Sequence, residues 1–500
     1  MTVIDLPHPV PDEVFASIVA LEPERGIRIG GDRLPAVLHG TFDVTDPVTD
    51  GLIGVLADGT AADATAAVDA AAAAAAGWAG TPPRRRSEML HRAFEIMTAE
   101  AGPLAQLISL ENGKPLADAR AEVCYAAEFF RWFAEEAVRA EGYYGAAPAG
   151  GTRTIVTNRP VGIAALVTPW NFPAAMVTRK IGPALAAGCT VVLKPAAETP
   201  LTALAVARIL GQAGTPAGAV NVVPTSNAPE VVTTWLTDPR VRKISFTGST
   251  AVGRTLLAHA AGRVVNSGME LGGNAPFVVA GDADVAAAVA GALVAKFRNG
   301  GQACTAANRF YVHADVADEF ITRFGHAIES LVVGSPFADG TDIGPLISGK
   351  AVTGLHALVT GAVAAGAKVS HRSRMPAAGA GHFYPPTLLV DVPAAAAILR
   401  TEVFGPVAPV VTWTDEHDLL RQVNDTEFGL AAYVYSRDLT WALTFAERVE
   451  AGMVGVNRGV VSDPSAPFGG VKQSGIGREG AGDGVREFRE TQYFSLDWTS

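Results

Sequence analysis

Three short stretches of the chain bring together residue types that could do chemistry. Gly301-Gln302-Ala303-Cys304, preceded by Lys296-Phe297-Arg298-Asn299-Gly300, sets a thiol among glycines and polar side chains. Glycine permits close approach, and a polar setting suits a thiol that must be reached and ionised. Against this stands the ordinary role of a lone cysteine, a small buried hydrophobe. In Met269-Glu270-Leu271-Gly272-Gly273-Asn274 a carboxylate sits between apolar residues and glycines, either a general base with a raised pKa or a surface loop acid. The third stretch, Phe246-Thr247-Gly248-Ser249-Thr250-Ala251-Val252-Gly253, follows a strand pattern and opens a helical one. Gly248 allows a tight turn there, Ser249 offers a hydroxyl, and free helix N–H groups could meet a pyrophosphate. It is not GxGxxG, and a plain strand-to-helix turn explains it equally. Cys124, in a helical pattern, and Cys189 read as packing residues. Separately, these signals settle nothing.

The elements around them are legible. From Val161 onward, short β-branched runs alternate with helical ones: Val161–Val167 then Ala174–Ala187, Thr190–Leu193 then Leu201–Gly211, Val220–Val223 then Ala228–Thr237, and Arg242–Phe246 then Val252–Ala260. Four such units predict an α/β fold with a doubly wound parallel sheet that binds ligands at the carboxyl ends of its strands. A second α/β region runs from about Ala275 to Asn457. Upstream, the alanine-rich 61–77 stretch predicts a helix, since alanine is the best helix former. Helical periodicity continues over 86–101 and 116–141. Tyr143 to Arg159 reads as a hairpin, and Glu487 to Phe494 as a lone strand that pairs elsewhere.

Length and charge narrow the class. Five hundred residues exceed one hydrophobic core, so two or three domains are expected. The net charge of −11 argues against nucleic acid, and it repels small anions unless positive charge is gathered locally. Three widely spaced cysteines give no disulfide framework and no metal-binding spacing. The first lysine or arginine is Arg25, so no targeting segment is expected. The apolar run from Val161 to Val177 carries Pro169, Asn171 and Pro173, which suits a strand and turn rather than a membrane span. A cytoplasmic protein with no membrane partner is the expectation.

Taken together and in order, the motifs resemble the aldehyde dehydrogenase superfamily over nearly the full chain. Thr168-Pro169-Trp170-Asn171-Phe172-Pro173 comes first, then Leu193-Lys194-Pro195, the Gly248–Gly253 turn and Glu270-Leu271-Gly272-Gly273. Gly301-Gln302-Ala303-Cys304, Glu402-Val403-Phe404-Gly405-Pro406 and Pro467-Phe468-Gly469-Gly470 follow. The resemblance implies that Cys304 adds to an aldehyde, that Asn171 and the cysteine N–H hold the oxyanion, and that Glu270 activates the hydrolytic water. Lys180 matches a lysine that assists cofactor placement and proton movement; the alternative is a solvated helix lysine. For the cofactor, NADP or NAD, the resemblance implies contacts from Thr168, Pro169, Trp170, Lys194, Gly248, Ser249, Gly253, Leu271, Glu402 and Phe404. Strict NAD users carry an acid where this chain has Ala197, so NADP should be tolerated, unless Glu198 takes the acid's place.

Within the superfamily the chain is most similar to succinate-semialdehyde dehydrogenases. Arg179, and Arg298 six residues before Cys304, match arginines that hold a distal carboxylate with the help of a serine matching Ser462. A guanidinium suits such a group; unrelated ion pairs are the plain alternative. Three departures stand out. Thr305-Ala306 leaves no second cysteine for a redox disulfide, Arg458 adds a charge, and Asp463 puts an acid beside the expected carboxylate site. The last could shift preference toward glutarate semialdehyde or another ω-oxo acid. A general aldehyde oxidiser, an esterase-only protein and a non-catalytic relative are the rival readings. The expected division is a dinucleotide-binding domain (1–142 and 160–269), a catalytic domain (270–468) and a small β bridging element (143–159 and 469–500). By resemblance the bridge builds a homodimer or homotetramer.

Overall fold

In the computed structural model, residues 26–139, 141–375 and 381–498 are described. The N-terminal stretch read for a targeting segment lies outside them. Two large sheets organise the chain. The first has eight strands in the order Gly475–Ile476, Asn266–Glu270, Val241–Thr247, Ile163–Val167, Thr190–Lys194, Val220–Val222, Ile27–Ile29 and Asp32–Leu34. Its five central strands are parallel, and the outer ones are antiparallel. Ile163–Val167 and Thr190–Lys194 are buried at every position, as a parallel strand covered on both faces must be.

The second sheet runs Lys368–Arg372, Thr387–Val390, Val407–Trp413, Ala307–His313, Ala275–Val279, Ala431–Tyr435 and Met453–Val456. It is parallel except at its first pair. A third sheet is antiparallel: Arg489–Asp497 pairs along the whole of Thr152–Pro160, which also pairs with Gly142–Ala146. The predicted hairpin and lone terminal strand therefore meet each other. Gly475–Ile476, read as part of the bridging element, instead closes the edge of the first sheet through Met269 and Glu270.

The alanine-rich segment is the Ala61–Ala79 helix, started by Thr60, whose N–H donates to Asp63 at 2.9 Å. Its small side chains Ala64, Ala67 and Ala71 let it lie close on the first sheet. Periodicity read as one helix over 86–101 is two helices, Pro83–Ala99 and Ala101–Asn112. Pro103 has no N–H and fits the first turn of a new helix but not the interior of a continuing one. Leu116–Ala137 then packs on Ala175–Ala187 through Phe129, Phe130 and Phe133, all buried. Cys189 is buried as read, but Cys124 is exposed on the outer face of Leu116–Ala137, so it is not a packing residue. Among the described residues, no helix is long and apolar enough to cross a membrane.

Candidate active site

Cys304 follows a turn that few sequences could form. Asn299, Gly300 and Gly301 all have positive φ, at 53°, 60° and 77°. Gly301 is required twice over, because a Cβ there would stand 2.4 Å from the Gly405 carbonyl oxygen. Asn299 is not glycine, and its left-handed backbone is held by three hydrogen bonds. Its N–H donates to Asp118 at 2.8 Å, and its side-chain amide donates to the carbonyls of Asn171 at 2.8 Å and Gln302 at 3.1 Å. The Asn171 amide donates to the Gln302 carbonyl at 3.0 Å, so the Asn171 and Cys304 loops are tied together.

A buried pair upstream fixes the Asn171 loop from behind. Lys114 Nζ lies 2.5 Å from Glu122 and donates to the Asn171 carbonyl at 2.8 Å. The other Glu122 oxygen accepts from the N–H groups of Ala174 and Ala175, at 2.9 and 3.3 Å. Neither residue was singled out in the sequence.

Cys304 and Asn171 open into a cavity of about 240 Å³ with Pro169, Trp170, Thr247, Gly248, Ser249, Leu271, Glu402 and Phe404. Phe404 and Trp170 meet edge to face at 5.5 Å. Glu402 accepts the Gly273 N–H at 3.0 Å, and burial pushes its carboxyl up to about 7. Ser249 caps the Thr250–Ala261 helix, and Gly253 in its first turns packs on Leu271. Thr168 and Lys194 extend the neighbouring strands, joined by a 3.2 Å backbone bond. Burial lowers the Lys194 ammonium pKa, partly opposed by the charge of Glu198. Ala197 puts no acid there, while Glu198 is exposed. Thr247 Oγ1, buried on the cavity wall, has no hydrogen-bond partner. An unsatisfied hydroxyl beside a helix N-terminus fits a dinucleotide that brings acceptors and negative charge.

Burial pushes the Cys304 thiol up to about 12, and the carboxylates of Glu402 and Glu270 act in the same sense; the charges of Arg179 and Arg298 oppose them. Glu270, at the end of its strand and 4% exposed, has one carboxylate oxygen with no partner. Burial and the charge of Glu479 raise its pKa well above the ordinary carboxylate value, against Arg179, Lys180 and Arg478. Lys180 is not a solvated helix lysine: it is 1% exposed, donates to Ser245 at 3.0 Å and pairs with Glu479.

Glu479 was missed in the sequence. It pairs with both Arg179 and Lys180 from 299 positions downstream of the latter, a separation that no local pattern reveals. Arg179 is 1% exposed, with its guanidinium 4.0 Å from the Phe468 ring centroid. Arg298 is half-buried, with its guanidinium 5.3 Å from that of Phe172. Tyr125, also unremarked in the sequence, lies within hydrogen-bonding reach of Arg179 and Ser462. Asp463, by contrast, is exposed and turned into its own loop, accepting from the Ser465 N–H at 2.9 Å and its hydroxyl at 2.6 Å. The charge of exposed Arg458 acts on that carboxylate.

Known proteins resemble this chain over most of its length. Succinate-semialdehyde dehydrogenase of Paenarthrobacter nicotinovorans is 53% identical over 89% of this chain and 99% of its own length. Glutarate-semialdehyde dehydrogenase of Pseudomonas putida is 46% identical over 94% of this chain and 97% of its own. The crystal structure of an NADP-dependent Escherichia coli enzyme superposes with a TM-score of 0.93 at 45% identity, over 95% of this chain and 98% of that one. Residues 36–494 match the aldehyde dehydrogenase family, and the chain is a member of it: an oxidoreductase acting on an aldehyde.

Proposed function

We propose that this enzyme oxidises an ω-carboxylated aldehyde, succinate semialdehyde foremost, to the corresponding acid with NADP or NAD. The observation that carries the reading is that Arg179 and Arg298 both lie close enough to Cys304 for their charges to act on its thiol. In a chain of net charge −11, two guanidinium groups beside the nucleophile make a local anion trap. The named activities of the two semialdehyde relatives support the same substrate class.

In this reading the Cys304 thiolate adds to the aldehyde carbon, and the new oxyanion is met by the Asn171 amide and the Cys304 N–H. Burial keeps the resting thiol protonated at neutral pH, and the arginines favour its ionisation. A bound nicotinamide dinucleotide supplies the hydride acceptor that makes the thioester. Glu270, with a free carboxylate oxygen and a raised pKa, takes the proton from the water that hydrolyses it. Thr247, Ser249, Lys194, Glu402 and Phe404 hold the dinucleotide, and the alanine at 197 leaves room for a 2′-phosphate. Lys180, held by Ser245 and Glu479, positions charge behind Glu270.

We also infer a three-part division along these lines, with Gly475–Ile476 counted with the first sheet, and a homodimer or homotetramer built on the third sheet. Exposed Tyr143, Tyr144, Tyr493, Phe494 and Leu496 on that sheet support the assembly. Three unpaired cysteines support a cytoplasmic setting. The test of the function is NAD and NADP reduction with succinate semialdehyde against butanal, a neutral aldehyde of equal carbon number. A preference of orders of magnitude for the semialdehyde is expected, and equal rates would refute the carboxylate reading.

A further inference from the structure

Arg179 is poorly placed to meet a substrate directly. Its Nε lies 2.5 Å from a Glu479 oxygen, its Nη2 donates to the Met176 sulfur at 3.2 Å, and one face lies against Phe468. Beside it stands Tyr125, on the Leu116–Ala137 helix. Its ring packs edge to face on Phe129 at 4.9 Å, which fixes its direction, and the residue is only partly buried. Its hydroxyl lies in hydrogen-bonding reach of both Arg179 and Ser462, and in the field of Arg298.

Donor arithmetic then decides the roles. A guanidinium only donates, so Arg179 must donate to the phenol oxygen, and the phenol O–H is left to donate elsewhere. Ser462 can accept it while the pocket holds no substrate, and a carboxylate is the stronger acceptor. Burial raises the phenol pKa, which keeps this proton in place at working pH.

We propose that Tyr125 is a specificity-determining residue whose hydroxyl, oriented by Arg179, donates directly to the distal carboxylate of the aldehyde beside Arg298. Arg179 acts through it, as a positioning residue and a source of charge. This rests on the substrate reading above.

The test is Tyr125→Phe, which removes one oxygen and keeps the ring, assayed alongside the unaltered enzyme with succinate semialdehyde and butanal. The ratio of kcat/KM for the two aldehydes should fall by about tenfold to a hundredfold, the loss expected for one hydrogen bond to a charged group. The fall should lie mainly in KM for the semialdehyde, with butanal nearly unchanged. Competitive inhibition of butanal oxidation by succinate should weaken in parallel, while that by uncharged butanamide should not. If the unaltered enzyme prefers the semialdehyde and Tyr125→Phe keeps the ratio, the Tyr125 inference is overturned and the substrate reading stands. Equal losses with both aldehydes would make Tyr125 a structural residue and overturn it too. If the unaltered enzyme shows no preference, both ideas fall.

Discussion

Arg179 lies within 2.5 Å of Glu479 through its Nε, and the same carboxylate takes Lys180 on its other oxygen. Two cations that are 1% exposed thus share one anion, behind the residue expected to activate water. Breaking a buried pair from one side leaves uncompensated charge, at about 3–5 kcal/mol. Glu479→Gln should therefore lower the urea-unfolding free energy by that order, and an unchanged midpoint would show that water already reaches the site. The pair also sets an acid limit. Burial pushes the Glu479 carboxyl up, but Lys180 and Arg179 outweigh it and hold the pKa below its ordinary value. Its share of the stability is present above the unfolded-state pKa and is lost as pH falls through the lower folded-state one. The acid side of the unfolding profile should flatten in Glu479→Gln.

Cofactor choice should turn on one alanine. Ala197→Glu would set a carboxylate beside the position proposed for the 2′-phosphate, where like charges repel by several kcal/mol. NADP binding, followed by quenching of protein fluorescence, should weaken by about tenfold or more relative to NAD. If both dissociation constants move together, Ala197 does not face that phosphate.

The Cys304 thiol should be slow to alkylate at neutral pH, since burial pushes it up to about 12. With exposed Cys124 replaced by serine, the iodoacetamide rate of the cofactor-free enzyme should still climb above pH 9, the ordinary thiol range. Glu270→Gln removes a neighbouring negative charge and should move the rise to lower pH. Arg298→Ala removes a positive one and should move it higher. Shifts in the opposite sense would contradict the electrostatic account of the site.

How much of this was legible in sequence depends on how far apart the interacting residues lie. Cys304, Glu270, Asn171 and the turn at Gly248 each sit in a compact segment whose glycines and polar neighbours mark it, and the structure brings all but Glu270 onto one cavity wall. The strands Ile163–Val167 and Thr190–Lys194 were readable because burial on both faces favours a nearly continuous apolar run. Glu479 was not readable, because its partners lie some 300 positions upstream. Lys114 and Glu122 sit in no recognisable motif, and only the fold shows them buried and bonded to the Asn171 loop. Asp463 misled for the converse reason. Its neighbourhood in the chain suggested an acid in the pocket, but a side chain that can accept from its own backbone two residues on turns away from it.

The most direct test of the account is a single turnover of Glu270→Gln with succinate semialdehyde and NADP, followed by mass spectrometry of the chain. The account predicts a burst of reduced cofactor, about one per site, then a stall. The succinyl group should be found as a thioester on Cys304, since glutamine cannot take the proton from water. Full steady-state turnover by Glu270→Gln, with Cys304 unmodified throughout, would contradict it.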